Sequence, residues 1–162
     1  MDNFTNLSTE LGLALKKRGY MLALAESCTG GLASAAITNT AGSSAWFDRG
    51  FITYSNASKQ EVLAVSAKTL EQYGAVSEQT AIEMAIGALK YSHTQIAGSI
   101  TGIAGPSGGT AKKPVGTVCF AWAIKDGHSA SNTAHFSGSR QEIRHQAVIK
   151  LMVGLMDIIK QV

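Results

Sequence analysis

The feature that most narrows the fold of this chain is the alternation of two kinds of apolar segment. Short runs of buried-strand type, YMLALA (20–25) and IAGSIT (96–101), are separated by stretches with helical spacing. Residues 6–18 carry Leu7, Leu11, Ala14 and Leu15 on one face and stop at Gly19. TGGLASAAIT (29–38) reads as a closely packed helix, and WFDRGFITYS (46–55) as an aromatic, β-branched strand kinked near Gly50. ASKQEVLAV and SAKTLEQYG give two short helices. Ser77 caps a longer one reaching about Lys90. VGTVCFAWAI and HSASNTAHF form a hairpin around KDG. Ser139-x-x-Glu142 is a capping box opening a last helix with Ile143, Ala147, Leu151, Leu155 and Ile158 as its core stripe. The order α-β-α-β-α-α-α-β-β-β-α predicts a three-layer α/β/α sandwich around a mixed, mostly parallel sheet of about five strands.

At 162 residues the chain reads as one domain, 1–162, large enough to bury a core without disulfides or metal. A net charge of +3 is too mild to demand nucleic acid, but it favours small anionic ligands. Lys and Arg form no long stripe, so nucleic acid is not an expected partner. Nothing has the length of a membrane span, and the N-terminus lacks the apolar stretch of a signal peptide. The two cysteines, Cys28 and Cys119, fit neither CxxC nor a zinc spacing. Together these features predict a cytoplasmic protein with no membrane partner, in a reducing compartment.

The chemistry concentrates in LALAESCTGG (22–31). If a strand ends here and a helix begins, Glu26, Ser27 and Cys28 lie at the carboxyl edge of the sheet, where open α/β folds bind ligands. A helix start offers unpaired N–H groups, and Gly30 and Gly31 leave them uncovered. A serine at such a place can attack a carbonyl while amides hold the oxyanion. Equally, Ser27 and Thr29 can simply cap the helix. This is not a GxSxG elbow, so no hydrolase motif decides between the two. Cys28 lacks a histidine partner and reads as a small packed residue, and Glu26 as a structural or orienting one.

A serine nucleophile needs a base, and none of His93, His128, His135 or His145 sits in a catalytic signature. A desolvated lysine can serve instead. Lys59 in ITYSNASK is the candidate, with Tyr54 to relay a proton or orient the amine; taken alone, it reads as a solvated helix residue. Arg140 and Arg144 share one face of the last helix near its start, where a cation opposes the dipole and an anion would relieve it. They form a phosphate cradle, or are solvated or paired with acids. The Gly-rich loop 102–114 matches neither a P-loop nor GxGxxG, but it is longer than a turn needs. Thr101 precedes it at a strand end.

Five ordered segments, AESCTGG, AGSSAWFDRGFITYSNASK, GAVSEQTAIEMAIGA, SITGIAGPSGGTAKKPVGTV and FSGSRQEIRHQA, resemble the C-terminal domain of the competence/damage-inducible CinA family, whose stand-alone form is a nicotinamide-nucleotide amidohydrolase. The resemblance covers nearly the whole chain. It implies hydrolysis of the carboxamide of nicotinamide mononucleotide, a small-molecule nucleotide substrate, to nicotinate mononucleotide and ammonia in pyridine-nucleotide recycling. It also implies an α/β/α fold, homo-oligomers, and no metal or organic cofactor. It puts the nucleophile on Ser27, the base on Lys59 and a helper on Tyr54. Substrate binding falls on Thr101 with Gly102, on Arg140 and Arg144, and on the Thr29, Gly30 and Gly31 turn. Two departures stand out: the chain lacks the large N-terminal domain of full-length CinA proteins, and Ser107 occupies the acidic position of the family's GPDGG loop. A catalytically silent paralogue acting as a nucleotide-binding or regulatory module is the alternative; a flavin-mononucleotide binder on a flavodoxin-like sheet is a third reading.

Overall fold

The computed structural model describes residues 3–162. Its elements follow the order read from the sequence: α1 (Asn3–Arg18), β1 (Leu22–Glu26), α2 (Leu32–Thr38), β2 (Phe47–Ile52), α3 (Asn56–Leu63), α4 (Ala67–Tyr73), α5 (Glu78–Lys90), β3 (Ile96–Gly102), β4 (Thr117–Ile124), β5 (Ser129–His135) and α6 (Arg140–Lys160). A single 3₁₀ turn, Ser43–Ala45, lies in the stretch read as a plain loop.

The strands make one sheet in the order β2-β1-β3-β4-β5. β1 pairs in parallel with β2 and with β3, whereas β4 runs antiparallel to both β3 and β5. Four of the five strands therefore point the same way, and β4 alone opposes them. The chain steps from β1 outward to β2 and later returns to β3 on the other side. The crevice at the carboxyl ends of β1 and β3 is thus the topological switch point, where such sheets take ligands.

Side-chain size divides the two faces. Leu22 and Leu24, Ile96 and Ile100, and Val118, Phe120, Trp122 and Ile124 point to the face covered by α1, α2 and α6. The alternate positions are Ala23, Ala25 and Ala97, with Cys119, Ala121 and Ala123 farther along; they meet α5 and, near β1, Leu63 and Leu70 of α3 and α4. Period-two alternation supplies two inner faces. Small residues on one let α5 approach closely, and bulky residues on the other fill the wider gap below α6.

Two local expectations are corrected. The helix expected over 29–38 begins at Leu32, because Gly30 (φ 56°) and Gly31 (φ 106°) occupy the left-handed region, which a right-handed helix cannot include. The irregularity in β2 falls opposite the Leu22/Ala23 step rather than at Gly50. Gly50 instead answers to close approach: a Cβ there would lie 2.3 Å from Ser34 Oγ on α2. The capping box of α6 is present, with Ser139 accepting from the Glu142 amide and Glu142 accepting from the Ser139 amide. Among the described residues no helix is long and apolar enough to cross a membrane.

Candidate active site

β1 is buried along its whole length and ends on Glu26, so the chain leaves the sheet inside the protein. The Ser27 amide still donates to Ile100 O of β3 (3.0 Å), and the Thr53 amide beyond β2 donates to Glu26 O (2.8 Å). Residues 27–31 then turn sharply. Glu26 is fully buried, and its carboxylate accepts five hydrogen bonds: from Thr29 Oγ1 (2.6 Å), the amides of Gly31 (3.2 Å), Ala33 (2.9 Å) and Ser34 (3.0 Å), and Ser34 Oγ (2.7 Å). The first amides of α2 thus have an acidic cap reaching from the preceding strand. This turns Glu26 into the anchor of the turn that carries Ser27.

That cap changes which amides face the cleft. Gly30 N–H donates to Ser27 O (3.1 Å), and Gly31 N–H to Glu26, so neither glycine amide expected at an oxyanion site is free. Among the described residues, the Cys28 and Thr29 amides donate to no backbone or side-chain oxygen. The Cys28 thiol is buried, and that burial pushes its pKa up to about 11, against smaller opposing effects of its own amide and of Arg144. It is a poor nucleophile at neutral pH.

Lys59 lies one turn into α3, whose start is set by Ser55 in a capping box with Ser58. Its side chain runs inward and is 1% exposed. Nζ lies 3.0 Å from Ser27 Oγ, 2.9 Å from Thr53 O and 3.3 Å from Tyr54 O. No carboxylate pairs with it among the described residues. Burial without a counter-charge pushes the lysine pKa below its usual 10.5, opposed only by the neighbouring Cys28. A neutral amine has two hydrogens and one lone pair. Two backbone carbonyls can take the hydrogens, leaving the lone pair for the Ser27 hydroxyl.

Tyr54 is placed differently from expectation. Its carbonyl, not its hydroxyl, touches Lys59; the ring is 62% exposed and its hydroxyl accepts from Arg140 Nη2 (3.2 Å). The two arginines also part company. Arg140 lines the cleft, donating through Nη1 to Gly105 O (2.7 Å). Arg144, one turn on, lies behind the Ser27 turn and donates from Nε to Cys28 O (3.1 Å) and from Nη2 to Thr29 O (2.8 Å). Two of its donors engage backbone carbonyls, and Arg140 rather than Arg144 is among the residues lining the cleft. Thr101 is buried and donates to Ala75 O (2.8 Å), and Thr101 and Gly102 line the cleft beside Ser27.

The cleft has a volume of about 330 Å³, with Ser27 and Lys59 on one side, the loop through Gly105, Ser107 and Gly108 on the other, and Arg140 at its edge. The CinA C-terminal domain model matches residues 4–159. The chain belongs to the CinA C-terminal domain family. Within this family it is 57% identical over 155 residues to the nicotinamide-nucleotide amidohydrolase PncC of Enterobacter agglomerans, covering 95% of this chain and 94% of that one. It is 54% identical over 141 residues to PncC of Escherichia coli K12, covering 87% and 86%. The crystal structure of competence/damage inducible protein CihA from Agrobacterium tumefaciens superposes with a TM-score of 0.94 at 42% identity, covering 97% of this chain and 96% of that one.

One wall of this CinA-domain cleft was invisible in the sequence. Ala75 and Val76, between α4 and α5, line it with no reactive group of their own. Their signals are their position between the stop at Gly74 and the cap at Ser77, and their place at the start of the segment GAVSEQTAIEMAIGA.

Proposed function

We propose that this protein hydrolyses the carboxamide of nicotinamide mononucleotide to nicotinate mononucleotide and ammonia, in pyridine-nucleotide recycling, with Ser27 as nucleophile and Lys59 as base. The observation that carries this reading is the 3.0 Å contact between Lys59 Nζ and Ser27 Oγ, made by a buried amine with no acidic partner among the described residues. The names of the 57% and 54% identical relatives supply the substrate.

Neutral Lys59 removes the Ser27 proton as Oγ attacks the carboxamide carbon. The carbonyl oxygen becomes an oxyanion on the side of the Cys28 amide, at the start of the turn that Arg144 and Glu26 hold; one such donor is worth about 3–4 kcal/mol to the transition state. The C–N bond then breaks, and the proton held by Lys59 passes to the leaving nitrogen, which departs as ammonia. Water, deprotonated by the same amine, attacks the Ser27 ester; the C–Oγ bond breaks, the proton on Lys59 returns to Ser27 Oγ, and the nicotinate carboxyl group leaves and ionises. Thr53 O and Tyr54 O hold the amine in line with Ser27 throughout. Arg140 at the cleft edge supplies the cation for the 5′-phosphate.

The test is ammonia release from nicotinamide mononucleotide by the purified protein and by Ser27→Ala. The expected result is turnover in the first and none in the second, with nucleotide affinity retained. Binding without ammonia from the unaltered protein would favour a silent nucleotide-binding module. A normal rate in Ser27→Ala would remove the nucleophile.

A further inference from the structure

We infer that Arg144 is a positioning residue for the oxyanion site and not a ligand of the substrate phosphate. The inference rests on Ser27 being the nucleophile. Arg144 reaches the turn from behind, through two donors on two successive carbonyls, Cys28 O and Thr29 O. In a trans peptide the C=O and N–H point in opposite directions. The carbonyl of Cys28 shares its peptide unit with the Thr29 N–H, so fixing that oxygen on Arg144 directs the Thr29 N–H the opposite way. Ser27 O is held by the Gly30 amide, which likewise turns the Cys28 N–H outward from the turn. These are the two amides next to the nucleophile without an oxygen acceptor among the described residues.

The guanidinium suits this task for a further reason. It is half-buried, forms no ion pair among the described residues, and its hydrogen bonds to the carbonyls are charge-assisted. It therefore polarises both peptide units in the sense that strengthens their N–H groups as donors. Glu26 holds the other side of the same turn through Thr29 Oγ1 and the Gly31 amide. The turn is gripped from two sides, by Arg144 on its carbonyls and by Glu26 on Thr29 Oγ1 and the Gly31 amide, while Cys28 at its start lines the cleft beside Ser27.

The test compares Arg144→Lys, Arg144→Gln and Arg144→Ala with the unaltered protein and with Ser27→Ala. Substrates are nicotinamide mononucleotide and the phosphate-free riboside. The inhibitor is the 3-formylpyridine analogue of the nucleotide, whose aldehyde adds Ser27 Oγ to give a hemiacetal. Loss of aligned donors should lower kcat on the order of 10²-fold in Arg144→Gln, by the same factor on both substrates, with KM for the nucleotide little changed. The aldehyde should weaken in parallel while the product nicotinate mononucleotide binds as before. Arg144→Lys keeps the charge but cannot span both carbonyls, so it should fall between the two. Added guanidinium should partly restore Arg144→Ala. If Arg144→Gln does not fold, the lysine variant and the rescue decide alone. A raised KM on the nucleotide that spares the riboside, with kcat kept, would overturn the inference in favour of a phosphate contact. Lysine kinetics equal to those of arginine would overturn it too. Ammonia release surviving in Ser27→Ala would instead sink the nucleophile, whatever Arg144 does.

Discussion

Replacing Lys59 with methionine isolates the property on which the mechanism turns, a buried amine that holds its proton less tightly than a free lysine. The stem of Lys59 is buried, and methionine keeps most of its apolar contact while removing the titrating group. In the unfolded chain the lysine holds its proton up to about pH 10.4. In the folded protein burial lowers that value. Between the lowered value and the ordinary one, the unfolded state binds the extra proton, so stability rises as pH rises through that window. Below the lowered value both states are protonated, and the contribution is flat at its least favourable level. One proton gives a slope of at most about 1.4 kcal/mol per pH unit. Urea unfolding of both proteins from about pH 6 to about pH 10, followed by subtraction, follows the rise towards the unfolded value and cancels the groups they share. The difference should climb with pH. At neutral pH the same variant should lose about 10²- to 10⁴-fold in kcat/KM, or about 2.7–5.4 kcal/mol. Parallel stability curves, or turnover retained in Lys59→Met, would refute the reasoning.

Two further outcomes follow from the same geometry. Glu26→Gln puts an amide NH₂ among donors that now meet a carboxylate, so it should cost about 2–3 kcal/mol in urea unfolding and lower kcat by loosening the Ser27 turn. Arg140→Met should raise KM for the nucleotide about tenfold or more, with little effect on the riboside; an equal effect on both would remove the phosphate role.

Much of the fold was legible because its signals are local. Ser77 and Ser139 announce two helices by capping chemistry, and the small-large alternation in VGTVCFAWAI reads directly onto the two faces of β4. The site was legible in part. Ser27 and Lys59 are 32 residues apart in sequence, and only the parallel pairing of β1 with β2, followed by the turn into α3, brings them to one cleft. The start of α2 is not legible in the sequence, because glycine serves both close helix packing and left-handed turns, and sequence alone does not say which. Positions four apart share a helix face, so the sequence offers Arg140 and Arg144 together and does not separate them. Four residues also advance about 6 Å along the axis, enough to put Arg140 at the cleft and Arg144 behind the turn.

The most direct test is to find where the substrate becomes attached. Rapid acid quench of the protein turning over nicotinamide mononucleotide, then peptide mapping by mass spectrometry, should show the nicotinoyl nucleotide as an ester on Ser27, absent in Ser27→Ala. An adduct on Cys28, or turnover at full rate with no covalent species under conditions where deacylation is slowed, would contradict the account.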